Sequence, residues 1–361
     1  MTVAVAIVGC GNVSPKYLDT IIGSAQVEVI GCADLEQSKA ATLAAAFGIH
    51  AYESIDELCA DPRVQLVVNL TAPVAHAEVS LRAIAHGKHV YSEKPLAASV
   101  SDARRVVAAA AAAGVQLGCA PDTFLGVGLQ ATKRLIADGA IGWPISALSV
   151  LATQGPELFH PGPEFLYRSG AGPLFDIGPY LVTTLTFLLG PVRAVSATTA
   201  TPVKERTIRV GERAGEGFTA AVPTFISAVL EFDSGAIATV VQGWDVVGTT
   251  APRLEIHGTE GSISAPSPDS WDGPVRLQRA GESEFVEVVS AVPAGGSPGS
   301  LGMGVLQMAE ALESGQVPAG SGARGLHTLE VLHAILSSAA AGRRVTLSEG
   351  LPAELSSPGD Q

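Results

Sequence analysis

The sequence predicts an α/β Rossmann domain followed by an α+β domain with a large, mainly antiparallel open sheet. Three observations predict it. Up to Cys119, short β-branched runs alternate with Ala- and Leu-rich helical stretches, the pattern of a parallel sheet covered on both faces. The first of those runs enters a tight turn, Gly9-Cys10-Gly11. Beyond Cys119 the texture changes to β-rich segments separated by turn signals, which reads as an antiparallel sheet with helices on one face. For 361 residues two domains are expected. A Rossmann domain over 1–121 and a second domain over 122–348 fit these textures, with a flexible tail over 349–361.

In the first domain the strands are Val3–Val8, Val27–Ala33, Val64–Leu70, His89–Ser92 and Val115–Cys119, each apolar along its length as strands covered on both faces must be. The helices between them are Pro15–Ser24, Glu36–Ala46, Val74–His86 and Val100–Ala113, the last ended by Gly114 as a C-cap. Next come a helix over Phe124–Asp138, a strand over Ile145–Ala152, a Pro- and Gly-rich loop over Gly155–Pro173 and a helix over Pro179–Leu189. Strands follow at Ala194–Thr198, Thr224–Phe232, Ala236–Trp244, Arg253–His257, Ser262–Ala265 and Val275–Gln278. The short link Asp233-Ser234-Gly235 makes a hairpin of two of them. A Gly/Pro/Ser loop over Ala291–Gly304 and helices over Val305–Glu313 and Leu326–Ala341 close the chain.

Composition excludes several function classes. Hydrophobic residues make up 47% of the chain and charged residues 16%, ample for buried cores and without a signature of disorder. The net charge of −13 repels nucleic acid and anionic lipid, so neither is an expected partner. No apolar stretch is long enough to cross a bilayer. Met1-Thr2 leads into a strand with no basic patch or cleavage site, so no signal peptide is expected and the cytoplasm is the expected location. Cys10, Cys32, Cys59 and Cys119 form no C-x-x-C pair and read as small buried hydrophobes. The eight histidines lack ligand spacing, so no metal site is expected.

Two glycines after a strand allow a tight turn and let backbone N–H groups approach a pyrophosphate at a helix N-terminus. Gly9, Gly11, Asn12 and Val13 are therefore candidate cofactor-binding residues, and Ser14-Pro15 reads as N-cap and first helical turn. Asp34 ends the second strand about twenty residues on, where a carboxylate meets the adenosine ribose. Asp34 and Glu36 would repel a 2′-phosphate and no arginine follows them, which favours NAD over NADP, although Lys39 leaves NADP open. The strand His89–Ser92 runs into Glu93-Lys94-Pro95. Ligands of such sheets bind outside the carboxyl ends of strands, so Lys94 is expected at the nicotinamide crevice. Pro95 disfavours helical geometry at Lys94 and permits a cis bond between them. The plainer account is an ion pair of Lys94 with Glu93.

The strand–Gly9-Cys10-Gly11–helix unit, Asp34, Thr71-Ala72-Pro73 with His76, and Glu93-Lys94-Pro95 occur in a telling order. With the later run Gly170-Ala171-Gly172-Pro173-Leu174-Phe175-Asp176-Ile177-Gly178-Pro179-Tyr180, the sequence resembles the glucose–fructose oxidoreductase / inositol dehydrogenase (Gfo/Idh/MocA) family from Val3 to about Thr346. The resemblance implies hydride transfer between a nicotinamide and a hydroxyl or keto carbon of a sugar, cyclitol or glycoside. It also implies a homodimer or homotetramer joined through the second sheet. By the same resemblance Thr71, Pro73, His76, Glu93 and Lys94 lie against the cofactor, and Lys94 and Asp176 belong to the catalytic set. One departure stands out: Tyr180 occupies the place of the family's catalytic histidine.

Lys and Tyr side chains both start near pKa 10 and need their neighbours to work near neutrality. On this reading Lys94 polarises the substrate oxygen, Tyr180 relays the proton and Asp176, one helical turn earlier, orients Lys94 or a substrate hydroxyl. A purely structural Tyr180 would leave the proton to Lys94 alone. His160 is a candidate for substrate contact or for the missing imidazole, or holds its loop. Asp122 is a candidate for a substrate hydroxyl or for capping the helix after it. Two other functions use the same residues: a redox-assisted lyase or glycosidase in which NAD is reduced transiently, and a non-catalytic dinucleotide-binding sensor.

Overall fold

The computed structural model describes residues 2–290 and 299–347; the tail expected over 349–361 and residues 291–298 of the expected loop lie outside them. The elements in order are β1 (Val3–Val8), α1 (Ser14–Ile21), β2 (Val27–Ala33), α2 (Gln37–Phe47), β3 (His50–Ala51), α3 (Ile55–Ala60), β4 (Leu66–Asn69), α4 (His76–Ala85), β5 (His89–Ser92), α5 (Val100–Ala113) and β6 (Leu117–Cys119). Then come α6 (Val127–Ala137), β7 (Pro144–Ala152), α7 (Gly172–Asp176), α8 (Gly178–Leu189), β8 (Val192–Ala200), β9 (Glu205–Thr207), β10 (Gly217–Thr219), β11 (Phe225–Phe232) and β12 (Ile237–Gly243). The rest are β13 (Glu255–Gly258), β14 (Gly261–Ser264), β15 (Val275–Arg279), β16 (Val286–Val289), α9 (Met303–Ser314), α10 (Gly322–Ala341) and β17 (Val345–Thr346).

β1 to β6 form one sheet in the order β3-β2-β1-β4-β5-β6, every pair parallel. That order reverses direction between β1 and β4, the switch point where dinucleotides bind in such sheets. Val5, Ile7, Leu66, Val68 and Val90 are wholly buried, each contributing roughly 1.5–3 kcal/mol of burial. α5 starts where Ser99 Oγ accepts the Asp102 N–H at 3.1 Å and ends at Gly114, φ +66°, so the expected glycine cap is present. The β3–α3 segment, absent from the sequence expectation, is too short for a periodicity to show.

The chain divides into two units, and the division differs from the expected boundary. Residues 2–125 pack with Gly299–Leu329, while 126–290 and 330–347 form the second unit. The expected second domain, 122–348, thus gives up its α9 region. The reason is apolar: Val305, Met308 and Ala309 of α9 share one core with Val5, Ile7, Tyr17, Leu18 and Ile21.

The second unit holds a sheet in the order β16-β15-β14-β13-β7-β12-β11-β8-β17, antiparallel throughout except for the parallel pair β7–β12. Ala147, Leu151, Ile226, Ala228, Leu230, Ala238 and Val240 point to its buried face. α8 is buried along ten of its twelve residues, as a helix that is apolar all round must be. The β11–β12 hairpin closes at Gly235, φ +87°, whose N–H donates to Phe232 O at 3.0 Å. β9 and β10 form a separate ribbon.

Candidate active site

The site begins at the switch point. Gly9 follows β1 at φ +98°, and a Cβ there would lie 2.7 Å from the backbone of Leu70 and Thr71 beyond β4. Only glycine lets the two strand ends approach this closely. A Cβ on Gly11 would meet nothing within 4 Å, so that side of the turn is open. The backbone N–H groups of Gly11, Asn12 and Val13 have no acceptor among the described residues. Three N–H groups at the start of α1, beside an open glycine, fit a dinucleotide pyrophosphate. Ser14 does not cap α1 as expected: Val13 is the cap residue, and the buried Ser14 hydroxyl donates backward to Gly11 O at 2.7 Å. It stiffens the turn and leaves the helix N–H groups to a ligand.

Asp34 follows β2 and is held beside this turn. Its Oδ2 accepts the Cys10 N–H at 2.7 Å and its Oδ1 accepts the Glu36 N–H at 2.8 Å. An ionised carboxylate offers about four acceptor sites, so capacity remains for a ribose diol. Lys39, the residue that left NADP open, has its ammonium 2.6 Å from Glu36 Oε1. Its charge is engaged by a neighbouring acid.

The chain after β4 is shaped by a buried polar network that the sequence did not disclose. Asn69 is fully buried; its Nδ2 donates to His76 O at 2.9 Å and Ser80 Oγ at 3.1 Å, and its Oδ1 accepts from Thr71 Oγ1 at 2.6 Å. His76 is 1% exposed, with Nδ1 2.6 Å from Pro95 O and Nε2 2.9 Å from Thr71 O. Its ring, with a carbonyl oxygen beside each nitrogen, ties the turn after β4 to the Lys94–Pro95 segment. The only sequence signal for Asn69 is an amide closing an otherwise apolar strand. Pro73 opens a single 3-10 turn ahead of α4.

Lys94 follows β5, half-buried, and its bond to Pro95 is cis. Glu93 Oε2 accepts the Lys94 backbone N–H at 2.8 Å, and Glu93 Oε1 accepts from the Tyr17 hydroxyl of α1 at 2.8 Å. Glu93 therefore serves the protein's own geometry with both oxygens. Asp122 is likewise reassigned. It is 1% exposed and its Oδ2 accepts the N–H groups of Gly302 and Gly304, each at 3.0 Å. It caps α9, 180 residues downstream of it, rather than the helix that follows it or a substrate hydroxyl. Burial pushes its carboxyl up to about 6, against the two N–H bonds that favour the charged form.

In the second unit Asp176 ends α7 and Tyr180 lies in the first turn of α8, with Ile177 between the two helices. They are not on one continuous helix, as the sequence led one to expect. Both are half-buried. Ile177 packs on Tyr167, Ala220 and Trp244. Beside that cluster Arg206 Nη1 donates to Glu157 Oε1 at 3.1 Å, Arg206 Nη2 donates to Asp245 Oδ1, and the Tyr167 hydroxyl donates to Glu157 Oε2. The Arg206 guanidinium also lies 5.2 Å from the Tyr167 ring centroid. Burial, then the bond to Glu157, pushes the Tyr167 phenol well up, which keeps it a donor. This buried ion cluster went unseen in the sequence. It anchors the loop expected over Gly155–Pro173, where His160 Nδ1 accepts the Gly162 N–H at 3.0 Å and its ring packs on Phe165. Among the described residues no group of three or more His, Cys, Asp or Glu side chains is disposed to hold a metal ion.

Residues 3–120 match the family described as oxidoreductase family, NAD-binding Rossmann fold, and residues 129–264 match the GFO/IDH/MocA C-terminal domain. The chain belongs to the Gfo/Idh/MocA oxidoreductase family. Family relatives include the 1,5-anhydro-D-fructose reductase of Ensifer adhaerens, 29% identical over 360 residues, which cover 96% of this chain and 98% of that one. The dTDP-3,4-didehydro-2,6-dideoxy-alpha-D-glucose 3-reductase of Streptomyces violaceoruber is 30% identical over 291 residues, 78% of each chain. Solved structures of the same fold include an NAD binding oxidoreductase from Klebsiella pneumoniae, TM-score 0.84 at 22% identity, covering 97% of this chain and 100% of that one. A levoglucosan dehydrogenase in complex with NADH and levoglucosan superposes with TM-score 0.82 at 22% identity and the same coverage. The family shares with the first unit the NAD-binding Rossmann fold that the Gly9 turn and Asp34 had indicated.

Proposed function

We propose that this Gfo/Idh/MocA oxidoreductase interconverts a hydroxyl and a keto carbon of a sugar- or cyclitol-like substrate with NAD. The observation that carries the reading is the grouping on one sheet edge of an open Gly9–Gly11 turn, a fixed Asp34 carboxylate and, two strands away, Lys94. Asp34 and the N–H groups of Gly11, Asn12 and Val13 would hold NAD, which supplies the hydride acceptor or donor when bound. Thr71 and Pro73 shape the neighbouring wall through the Asn69 network.

Lys94 is the group we assign to the substrate oxygen: its ammonium polarises a carbonyl during reduction and, deprotonated, takes the hydroxyl proton during oxidation. Tyr180, standing where the family has histidine, is assigned to relay that proton, and Asp176 to orient the amine or a substrate hydroxyl. His160, its Nδ1 committed to Gly162, is assigned to holding its loop. The dehydrogenase and reductase names of the relatives favour net redox chemistry over a lyase or a sensor.

The test is a screen of 1,5-anhydro-D-fructose, levoglucosan and inositols for change in nicotinamide absorbance. Lys94→Ala should abolish turnover and Tyr180→Phe should lower kcat by about 100- to 10,000-fold. Full activity of Lys94→Ala sinks the assignment.

A homodimer or homotetramer is part of the proposal. The outer face of the second sheet carries Val229, Ile237, Val241, Leu148 and Val150, exposed or half-buried, an apolar surface suited to a second copy. Light scattering at the mass of a monomer would refute it. Among the described residues no helix is long and apolar enough to cross a membrane. Four buried free cysteines fit the proposed cytoplasmic location.

A further inference from the structure

Tyr17 lies wholly buried in α1, the helix whose first residues close the dinucleotide turn. Its hydroxyl donates to one oxygen of Glu93, and the other oxygen accepts the N–H of Lys94. A single carboxylate thus joins α1 to the backbone of the residue assigned to the chemistry. Burial, then the Glu93 charge, holds the Tyr17 phenol well above its ordinary range, so it stays protonated and remains a donor. The ring is held in the core, 6.5 Å between centroids from Tyr91. Asp122, the nearby second carboxylate, accepts the Gly302 and Gly304 N–H groups with its Oδ2, and the Tyr17 hydroxyl donates to Glu93.

We propose that Tyr17 is a positioning residue for Lys94, acting through Glu93. The proposal rests on the assignment of Lys94 to the substrate oxygen. Without the hydroxyl, the Glu93 carboxylate loses its anchor on α1, and its hold on the Lys94 N–H loosens, while the Glu93 carbonyl still accepts from Ser92 Oγ at 3.1 Å. An amine displaced by a fraction of an ångström loses rate and little binding.

The test compares wild type, Tyr17→Phe, Glu93→Gln, the double variant and Lys94→Ala, with NADH and the fastest substrate of the panel. Tyr17→Phe is expected to lower kcat by about 10- to 100-fold while KM and the NADH Kd move less than about threefold. In the Glu93→Gln background the same change should cost little more, because both act through one strut. Independent losses that multiply in the double variant overturn the proposal, as does an unchanged kcat in Tyr17→Phe.

Hydrogen exchange of the protein without cofactor supplies a second readout. The peptide containing the Lys94 N–H should exchange faster in Tyr17→Phe, with α1 unchanged; faster exchange across α1 instead marks a packing role and overturns the proposal. Should Tyr17→Phe fail to fold, Glu93→Gln decides: a lower kcat with KM and the NADH Kd moved less than about threefold supports the strut, and an unchanged kcat overturns it. Retained activity in Lys94→Ala instead removes the underlying assignment, and the two failures are distinct.

Discussion

At the scale of residues, two glycines two positions apart in the same turn carry different burdens. Gly9→Ala puts a methyl at φ +98° and 2.7 Å from the backbone of Leu70 and Thr71, so strand ends must part. The expected cost is about 1–3 kcal/mol of stability, read as a lower melting temperature, together with loss of NADH binding. Gly11→Ala meets nothing in the protein and should leave the melt unchanged while weakening NADH, because its methyl occupies the open side of the turn. Equal melting temperatures for the two variants would count against this account. Gly9, Gly11 and Asp34 were legible because their meaning lies in spacing along the chain. His76, Glu93 and Asp122 were not, since a motif states which side chains stand at a turn and not which donors reach them. Asp122 finds its N–H partners at Gly302 and Gly304, far along the sequence.

At the scale of elements, long apolar strands and capped helices were readable, and the short pieces were not. β3, β9, β10 and β17 span two or three residues each, fewer than a period-two pattern needs to declare itself. β9 shows what that hides: in the polar run Lys204-Glu205-Arg206, which reads as solvated surface, Arg206 is buried between Glu157 and Asp245. Arg206→Met would leave two buried carboxylates without their cation, at a cost of about 3–5 kcal/mol. A melting temperature within a degree of wild type would show that the cluster is solvated after all. Because Ile177 packs on the adjacent Tyr167–Trp244 cluster, the same variant should raise KM for the carbohydrate more than for NADH.

At the scale of the whole molecule, joining α9 to the first unit depends on packing between segments nearly three hundred residues apart, which no local pattern records. That union also sets how stability answers to pH. Asp122, in the cap of α9, has its carboxyl raised from 3.8 to about 6 by burial. Its folded form holds a proton that the unfolded chain releases, so its contribution is present below pH 3.8 and is lost as pH rises through 6. His327, at the buried start of α10, is lowered from 6.5 to about 4, by burial and then by Arg324. Its contribution is present above pH 6.5 and is lost as pH falls toward 4. Between pH 4 and 6 the two slopes oppose, each roughly 1.4 kcal/mol per pH unit. Asp122→Asn keeps an oxygen for the Gly302 and Gly304 N–H groups and removes the titration, so its melting temperature should fall on acidification through that window more steeply than wild type. His327→Gln should tilt the opposite way. Two variants whose melting curves run parallel to wild type across this window would show that neither buried group changes its protonation on unfolding.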